Sequence, residues 1–306
     1  MKYELDDDLK LLELRRPSAN IYIYPFLNIA LSMAKCRSDD KVNVKEYGIA
    51  GYKGGKISVM LIEPVKSEGK LPCIVMFHGG GFLLKAASAH YRVAKWYAEE
   101  VGCKVLFVDY RLMPMYRFPY AIEDSYNAYE WALRNSDMIG IDEDKMMLVG
   151  DSAGGNIAAA LNLMLSDRGG KRPLGTILIY PAVDRRMRTE SMRIYTEMPV
   201  WDGRCNRAFW KAYLKGKDPE PIRYASIMEA ESLKVFTPTY MEVAQFDCLH
   251  DEGVEFAERL KGEGVPVEFH ETKGACHGYE TALESHILKE AMAARIAWMN
   301  KLLKNE

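Results

Sequence analysis

From residue 42 almost to the C-terminus, short apolar runs alternate with segments whose apolar residues recur at helical spacing. Two periods alternating in this way call for an α/β chain, a mostly parallel sheet with helices on both faces. Strands are expected over Val42 to Gly51, Lys56 to Glu63, Cys73 to Phe77, Lys104 to Tyr110, Met146 to Val149, Thr176 to Tyr180, Pro238 to Gln245 and Val265 to Glu271. The first two flank Lys53-Gly54-Gly55, a hairpin signal. Helical stripes fall between the later strands: Ala94 to Val101 closed by Gly102, Ile122 to Leu133 after Pro119, Ile157 to Leu165, Val254 to Leu260, and Ile287 to Leu302.

Residues 1–41 and 184–227 break the alternation, the second mixing charges with Met187, Trp201, Phe209, Trp210 and Tyr213. With 306 residues and 48% apolar content the chain has ample material for a core. Its net charge of −2 provides no global basic field, so no nucleic-acid partner is expected and uncharged small molecules suit it. Six cysteines with no CxxC pair read as free thiols of a reducing compartment, not as a zinc knuckle. Arg15-Arg16 before the apolar run Ile21 to Ala34 mimics an export signal, but Glu4, Asp6, Asp7, Asp8 and Glu13 precede it where positive charge belongs. No run approaches 18 uninterrupted apolar residues, so no membrane span and a cytoplasmic location are expected.

Gly150-Asp151-Ser152-Ala153-Gly154 matches G-x-S-x-G, with an apolar strand running in and a helix running out. A nucleophilic serine needs this setting, because a tight strained turn flanked by small residues lifts its Oγ clear of the sheet. His78-Gly79-Gly80-Gly81-Phe82 follows the third strand. Successive glycines cost backbone entropy, which suits a loop whose amides must face a ligand. The N–H groups of Gly80 and Gly81, joined by that of Ala153, are candidates for an oxyanion hole. A phosphate cradle would need G-x-x-x-x-G-K-[ST] or G-x-G-x-x-G, which this loop lacks. His78 reads as an orienting hydrogen-bonder, and Asp151 as a second supporting residue.

A serine nucleophile also needs a base and an orienting carboxylate. Among six histidines, His277 lies in a glycine-flanked loop after the last strand, where it could reach Ser152. His270 is inside that strand, His286 on the outer side of the last helix, and His90 opens the first large helix. Asp247 ends the seventh strand at the same edge. Asp251 is the alternative carboxylate, and otherwise a cap for the helix that follows. The order Ser152, Asp247, His277 is the one expected when a serine elbow precedes its carboxylate and base.

From about His78 to Tyr279 the chain resembles the hormone-sensitive-lipase-like branch of the α/β-hydrolases, the bacterial acetyl- and carboxylesterases. The matches are His78-Gly79-Gly80-Gly81, Asp109-Tyr110-Arg111-Leu112, Phe118-Pro119, Glu123-Asp124, Gly150 to Asn156, Asp247 with Leu249 and Asp251, and His277-Gly278. The resemblance implies an eight-stranded α/β-hydrolase sheet over residues 42–183 and 228–306. It implies a helical cap made from residues 1–41 and 184–227. It also implies a cofactor-free, metal-free serine esterase that takes a small-molecule ester and water, favouring acetyl to butyryl esters. A serine peptidase or amidase of the same fold, and a non-catalytic ligand-binding relative, are the alternatives; the latter lacks the histidine that stands here at 277. Phe82, Trp201 and Trp210 are candidate pocket residues, although the cap aromatics equally suit the cap's own core. Where the family has Ala-Pro-Glu, this chain has Met113-Pro114-Met115, which either softens the pocket or packs inertly. Cys248 and Cys276 adjoin Asp247 and His277, either as an oxidative switch or as two inert thiols. Homodimers are common in the family.

Overall fold

The computed structural model describes residues 3–66, 68–215 and 220–304. Eight strands form one sheet: β1 (Val42–Ala50), β2 (Lys56–Pro64), β3 (Leu71–Phe77), β4 (Lys104–Asp109), β5 (Ile141–Asp151), β6 (Gly175–Ile179), β7 (Thr239–Phe246) and β8 (Val267–Cys276). Their spatial order is β1-β2-β4-β3-β5-β6-β7-β8, with β1 and β2 antiparallel and the six from β4 onward parallel. The hairpin expected at Lys53 to Gly55 joins β1 to β2, with the Gly51 amide donating to the Gly55 carbonyl at 2.7 Å.

The helices are α1 (Tyr24–Leu31), α2 (Ser88–Val101), α3 (Tyr120–Arg134), α4 (Ser136–Ile139), α5 (Ala153–Asp167), α6 (Glu190–Ile194), α7 (Gly203–Leu214), α8 (His250–Gly262) and α9 (His286–Lys304). Strand periodicity divides the core into two layers. Val75 and Phe77 of β3 face one side with Leu148 of β5, under α3, α5 and α8. Ile74 and Met76 face the other side with Val149, under α2 and α9. The sheet is thus covered on both faces, as the near-continuous apolar runs of β3 to β6 require. Among the described residues no helix is long and apolar enough to cross a membrane.

Two strand boundaries differ from the sequence expectation by five residues, the others by at most two. β5 begins at Ile141, five residues early, because Ile141 pairs with Leu71 while the charged Asp142-Glu143-Asp144 stretch runs out past the buried part of the sheet. β8 continues to Cys276, where a register shift lets Cys276 pair with Phe246. That extension delivers His277 to the end of the strand.

The stretches outside the alternation pack on the rest. The Asp6 amide donates to the Gly274 carbonyl at 3.0 Å, and the Asp8 carboxylate accepts from both the amide and Nδ1 of His286 at 2.9 Å. In the 184–227 stretch, Phe209, Trp210 and Tyr213 of α7 join the same core layer as α5. Buried Asn156 of α5 donates to the carbonyls of Ala182 and Ala225, 2.7 Å each, so one amide holds both ends of the excursion.

A buried charge cluster fixes the C-terminal side. The guanidinium of Arg295 in α9 is fully buried and bonds Glu242 of β7 through Nη2 (2.7 Å) and Nε (3.0 Å), Glu280 through Nη1, and the Tyr279 hydroxyl (2.8 Å). Removing one member of such a cluster strands the others in low dielectric. Arg295→Ala is therefore expected to lower unfolding stability by about 3–5 kcal/mol. A urea titration would read this as a lower midpoint with little change in slope.

Candidate functional site

Ser152 sits between β5 and α5 with φ 55° and ψ −117°, a left-handed conformation that costs a non-glycine residue of order 1–3 kcal/mol. Close backbone approach enforces it. A Cβ on Gly154 would lie 2.0 Å from the Phe77 carbonyl oxygen, and one on Gly150 would lie 2.1 Å from that of Gly154. Neither position accepts a side chain. The Ser152 amide donates to the Ile179 carbonyl at 2.8 Å, which fixes the turn against β6.

The structure brings Ser152, His277 and Asp247 together. His277 Nε2 lies 2.8 Å from Ser152 Oγ, and its Nδ1 lies 2.7 Å from Asp247 Oδ2. An ionised carboxylate can only accept, so Nδ1 carries the proton and Nε2 is free to accept from the serine hydroxyl. Asp247 is fully buried, and its other oxygen accepts from the Leu249 amide at 2.9 Å. Asp251 does neither job expected of it. It lies inside the first turn of α8, where Leu249 is the capping position, and its carboxylate instead accepts from the Ser191 amide at 2.8 Å and contacts His250 Nδ1 at 2.8 Å. Its short side chain reaches across to α6 and so anchors the excursion.

Gly80 and Gly81, with φ of 111° and 62°, line the same cavity as Ser152 and His277, and Ala153 opens α5 one residue after the serine. Asp151 braces this loop: its Oδ1 accepts from the Gly79 amide at 3.0 Å, so close that a Cβ on Gly79 would overlap Oδ2. Burial alone would raise the Asp151 carboxyl, but the imidazole of His90 and the Gly79 amide outweigh it and hold it below the usual range. His78 is fully buried, stacked on Tyr110 with ring centroids 4.5 Å apart, and its Nδ1 lies 2.7 Å from the Gly79 carbonyl. Burial pushes its pKa down to about 4, so it is neutral at pH 7.

The cavity, about 390 Å³, is partly open to solvent. Trp201 lines it, 6.3 Å between ring centroids from His277, and fills the space where a Gly81 side chain would go. Phe82 and Trp210, expected beside it, are instead in the core: Phe82 stacks on Tyr213 at 4.3 Å, and Trp210 packs beside Phe209 at 4.7 Å. Their large apolar faces are better satisfied there than at a solvated pocket wall. Met113 is buried, whereas Met115 is exposed at 82% and lines a separate groove with Asp109 and Arg111. The substitution for glutamate therefore leaves the Ser152 cavity untouched.

Sequence reasoning missed three contributors. His90 accepts the Ala87 amide on Nδ1 (2.9 Å), which leaves its Nε2 to carry the proton 3.6 Å from Asp151; its place three residues into a helix starting without a Ser, Thr or Asp cap was the available signal. Tyr180 packs on His277 at 4.6 Å and donates to Glu280. Ile23, Tyr24, Leu27 and Leu31 of the N-terminal stretch form much of the apolar wall.

The relation to known proteins follows the geometry. A family model described as alpha/beta hydrolase fold matches residues 74–281. The esterase LipI of Mycobacterium tuberculosis is 33% identical over 216 residues, 69% of this chain and 67% of LipI. An ethyl acetate hydrolase of Pseudomonas putida is 27% identical over 247 residues, 79% of this chain and 77% of its own. A solved structure named bacterial heroin esterase superposes with a TM-score of 0.90 at 28% identity, covering 99% of both chains.

All six cysteines are free. Burial pushes the Cys276 thiol up to about 12, and burial together with the Asp247 charge also raises the Cys248 thiol. Thiolates are the reactive form, so both belong to the inert class. Ellman's reagent at pH 7.5 is expected to titrate at most the half-buried Cys36 in the native protein and all six thiols in denaturant; rapid native modification of two or more would contradict this.

Proposed function

The chain belongs to the α/β-hydrolase family, among its carboxylic ester hydrolases, and on that premise we propose that it is a serine carboxylesterase working through Ser152, His277 and Asp247. The observation that carries the reading is the unbroken relay from Ser152 Oγ through His277 to Asp247, at 2.8 and 2.7 Å. Ser152 Oγ attacks the ester carbonyl carbon and passes its proton to His277 Nε2. Asp247 holds the imidazole and stabilises its cation. The carbonyl oxygen, now negative, is met by the amides of Gly80, Gly81 and Ala153, each such donor typically contributing about 2.7–4 kcal/mol to the transition state. Collapse expels the alcohol, which takes the proton from His277. Water then attacks the acyl-enzyme by the same route and frees the acid and the serine.

Short acyl groups, acetyl to butyryl, fit this site. Trp201 closes the space against Gly81, so the side of Ser152 next to the amides has little depth, and the open volume lies toward the N-terminal stretch. The relative named ethyl acetate hydrolase is consistent with a small acyl group. Residues 1–41 and 184–227 act as the cap, since Val200 of the second donates to the Arg15 carbonyl of the first at 2.9 Å beside the cavity.

Ser152→Ala is expected to abolish p-nitrophenyl acetate hydrolysis and fluorophosphonate labelling with an unchanged far-ultraviolet spectrum; a near wild-type rate would end the reading. Across p-nitrophenyl esters from C2 to C12, kcat/KM is expected to peak between C2 and C4. An optimum at C10 or above would overturn the short-acyl assignment.

A further inference from the structure

The cavity in front of Ser152 is lined by an unbalanced set of charges. Arg15, Arg16 and Lys85 all line it, and among the described residues none of the three has an ion-pair partner. The carboxylate that lines it, Asp151, is buried, braced by the Gly79 amide and faced by His90. It is therefore already engaged and offers the three cations no counter-charge.

The backbone beneath these residues is held in place. The Arg15 carbonyl accepts from the Val200 amide at 2.9 Å, and the Ser18 carbonyl from the Tyr24 hydroxyl at 2.8 Å, which clamps the Arg15 to Ser18 turn at both ends. Asn28 of α1 brackets Lys85, donating to the Leu83 carbonyl and accepting from the Lys85 amide, both at 2.8 Å. Between the cations and Ser152 the wall is apolar, with Tyr24, Leu27, Leu84 and Trp201. Lys85 shares a neighbouring groove with Asp109, so an uncharged ester filling that apolar part would leave Arg15 and Arg16 as the positive groups without a counter-charge. An ester with an anion at its far end would meet them; Arg15 and Arg16 are exposed, so solvent and salt partly screen the attraction.

We propose that this cavity selects esters bearing an anionic group, such as a carboxylate, remote from the scissile carbonyl, with Arg15, Arg16 and Lys85 as the specificity-determining residues. The proposal rests on the esterase reading and adds a substrate class to it. It also reverses what net charge alone suggests, since the global balance of −2 is uninformative about a cleft with three local cations.

The test compares two acetyl esters with the same leaving phenol: 4-acetoxyphenylacetate, which is anionic, and 4-acetoxyphenylacetamide, which is neutral. The wild type is expected to favour the anion in kcat/KM by roughly fivefold to tenfold at low ionic strength, the sum of partly exposed ion pairs. Half-molar sodium chloride should shrink the ratio. Arg15→Gln with Arg16→Gln should bring it close to one, and Arg15→Lys with Arg16→Lys should keep most of it, which a merely structural role for the arginines would not do. An anion-to-neutral ratio of one or less in the wild type, or a ratio unmoved by the glutamine pair, would overturn the proposal. Calorimetric binding of the two product phenols, 4-hydroxyphenylacetate and 4-hydroxyphenylacetamide, to Ser152→Ala separates the two layers. Absence of hydrolysis of both esters sinks the esterase reading, whereas equal affinity for both phenols sinks the charge preference alone.

Discussion

The site depends on a steric constraint in which no side chain takes part. At the end of β5 the chain must turn within one residue, close enough to β3 that the Gly154 Cα lies against the Phe77 carbonyl. Two glycines make that approach possible, and it drives Ser152 into a conformation that serine avoids. The strain persists because residues 146–151 of the strand before the turn and 153–165 of the helix after it are buried and leave the turn no room to relax. A reactive oxygen is thus held above the C-terminal edge of the sheet, where the loops after β3, β7 and β8 also end.

Those loops need holding too, and buried charge does much of it. Glu280 follows His277 by three residues, and Arg295 ties it to Glu242 of β7, the strand that delivers Asp247. The base and its carboxylate are therefore fixed to each other twice, once directly and once through α9. On the opposite side Asp151 takes the Gly79 amide and so ties the glycine loop to the turn that carries Ser152. Buried ion pairs are a poor source of net stability, since desolvation consumes most of their attraction. Their value here lies in geometry, because a partner misplaced by an ångström leaves a charge unsatisfied.

The distribution of these constraints explains what could be read in the sequence. Strand and helix periods are local, so the eight strands and their order of types were visible, with boundaries missed by more than two residues only where pairing with a distant strand extended β5 and β8. The serine, histidine and carboxylate were legible because a strained turn leaves glycines and a strand end leaves a polar residue after an apolar run. Phe82 and Trp210 were misplaced for a converse reason: aromatic residues suit a pocket wall and a core equally, and only packing on Tyr213 and Phe209 decides. The Asp251 contact with Ser191 and the His90 contact with Asp151 join elements about 60 residues apart in sequence, and no local pattern marks either.

The N-terminal stretch is the extreme case of that illegibility. Its regular elements are short, a 3-10 helix over Asp7–Leu14 and α1 over Tyr24–Leu31, and the same Arg15-Arg16 pair that imitates an export signal lies between them at the cavity wall. Chemistry and selectivity consequently sit on different parts of the chain. The groups proposed to make and break bonds are borne by strand ends whose positions the sheet dictates. The surrounding wall comes from a segment tied down by single contacts such as Val200 to Arg15 and Asn28 to Lys85. Under the proposed charge preference, a change of one charge there alters which ester is accepted without disturbing the turn that holds Ser152. Substrate preference in such a chain is therefore set by local field and wall shape, quantities to which overall composition contributes almost nothing.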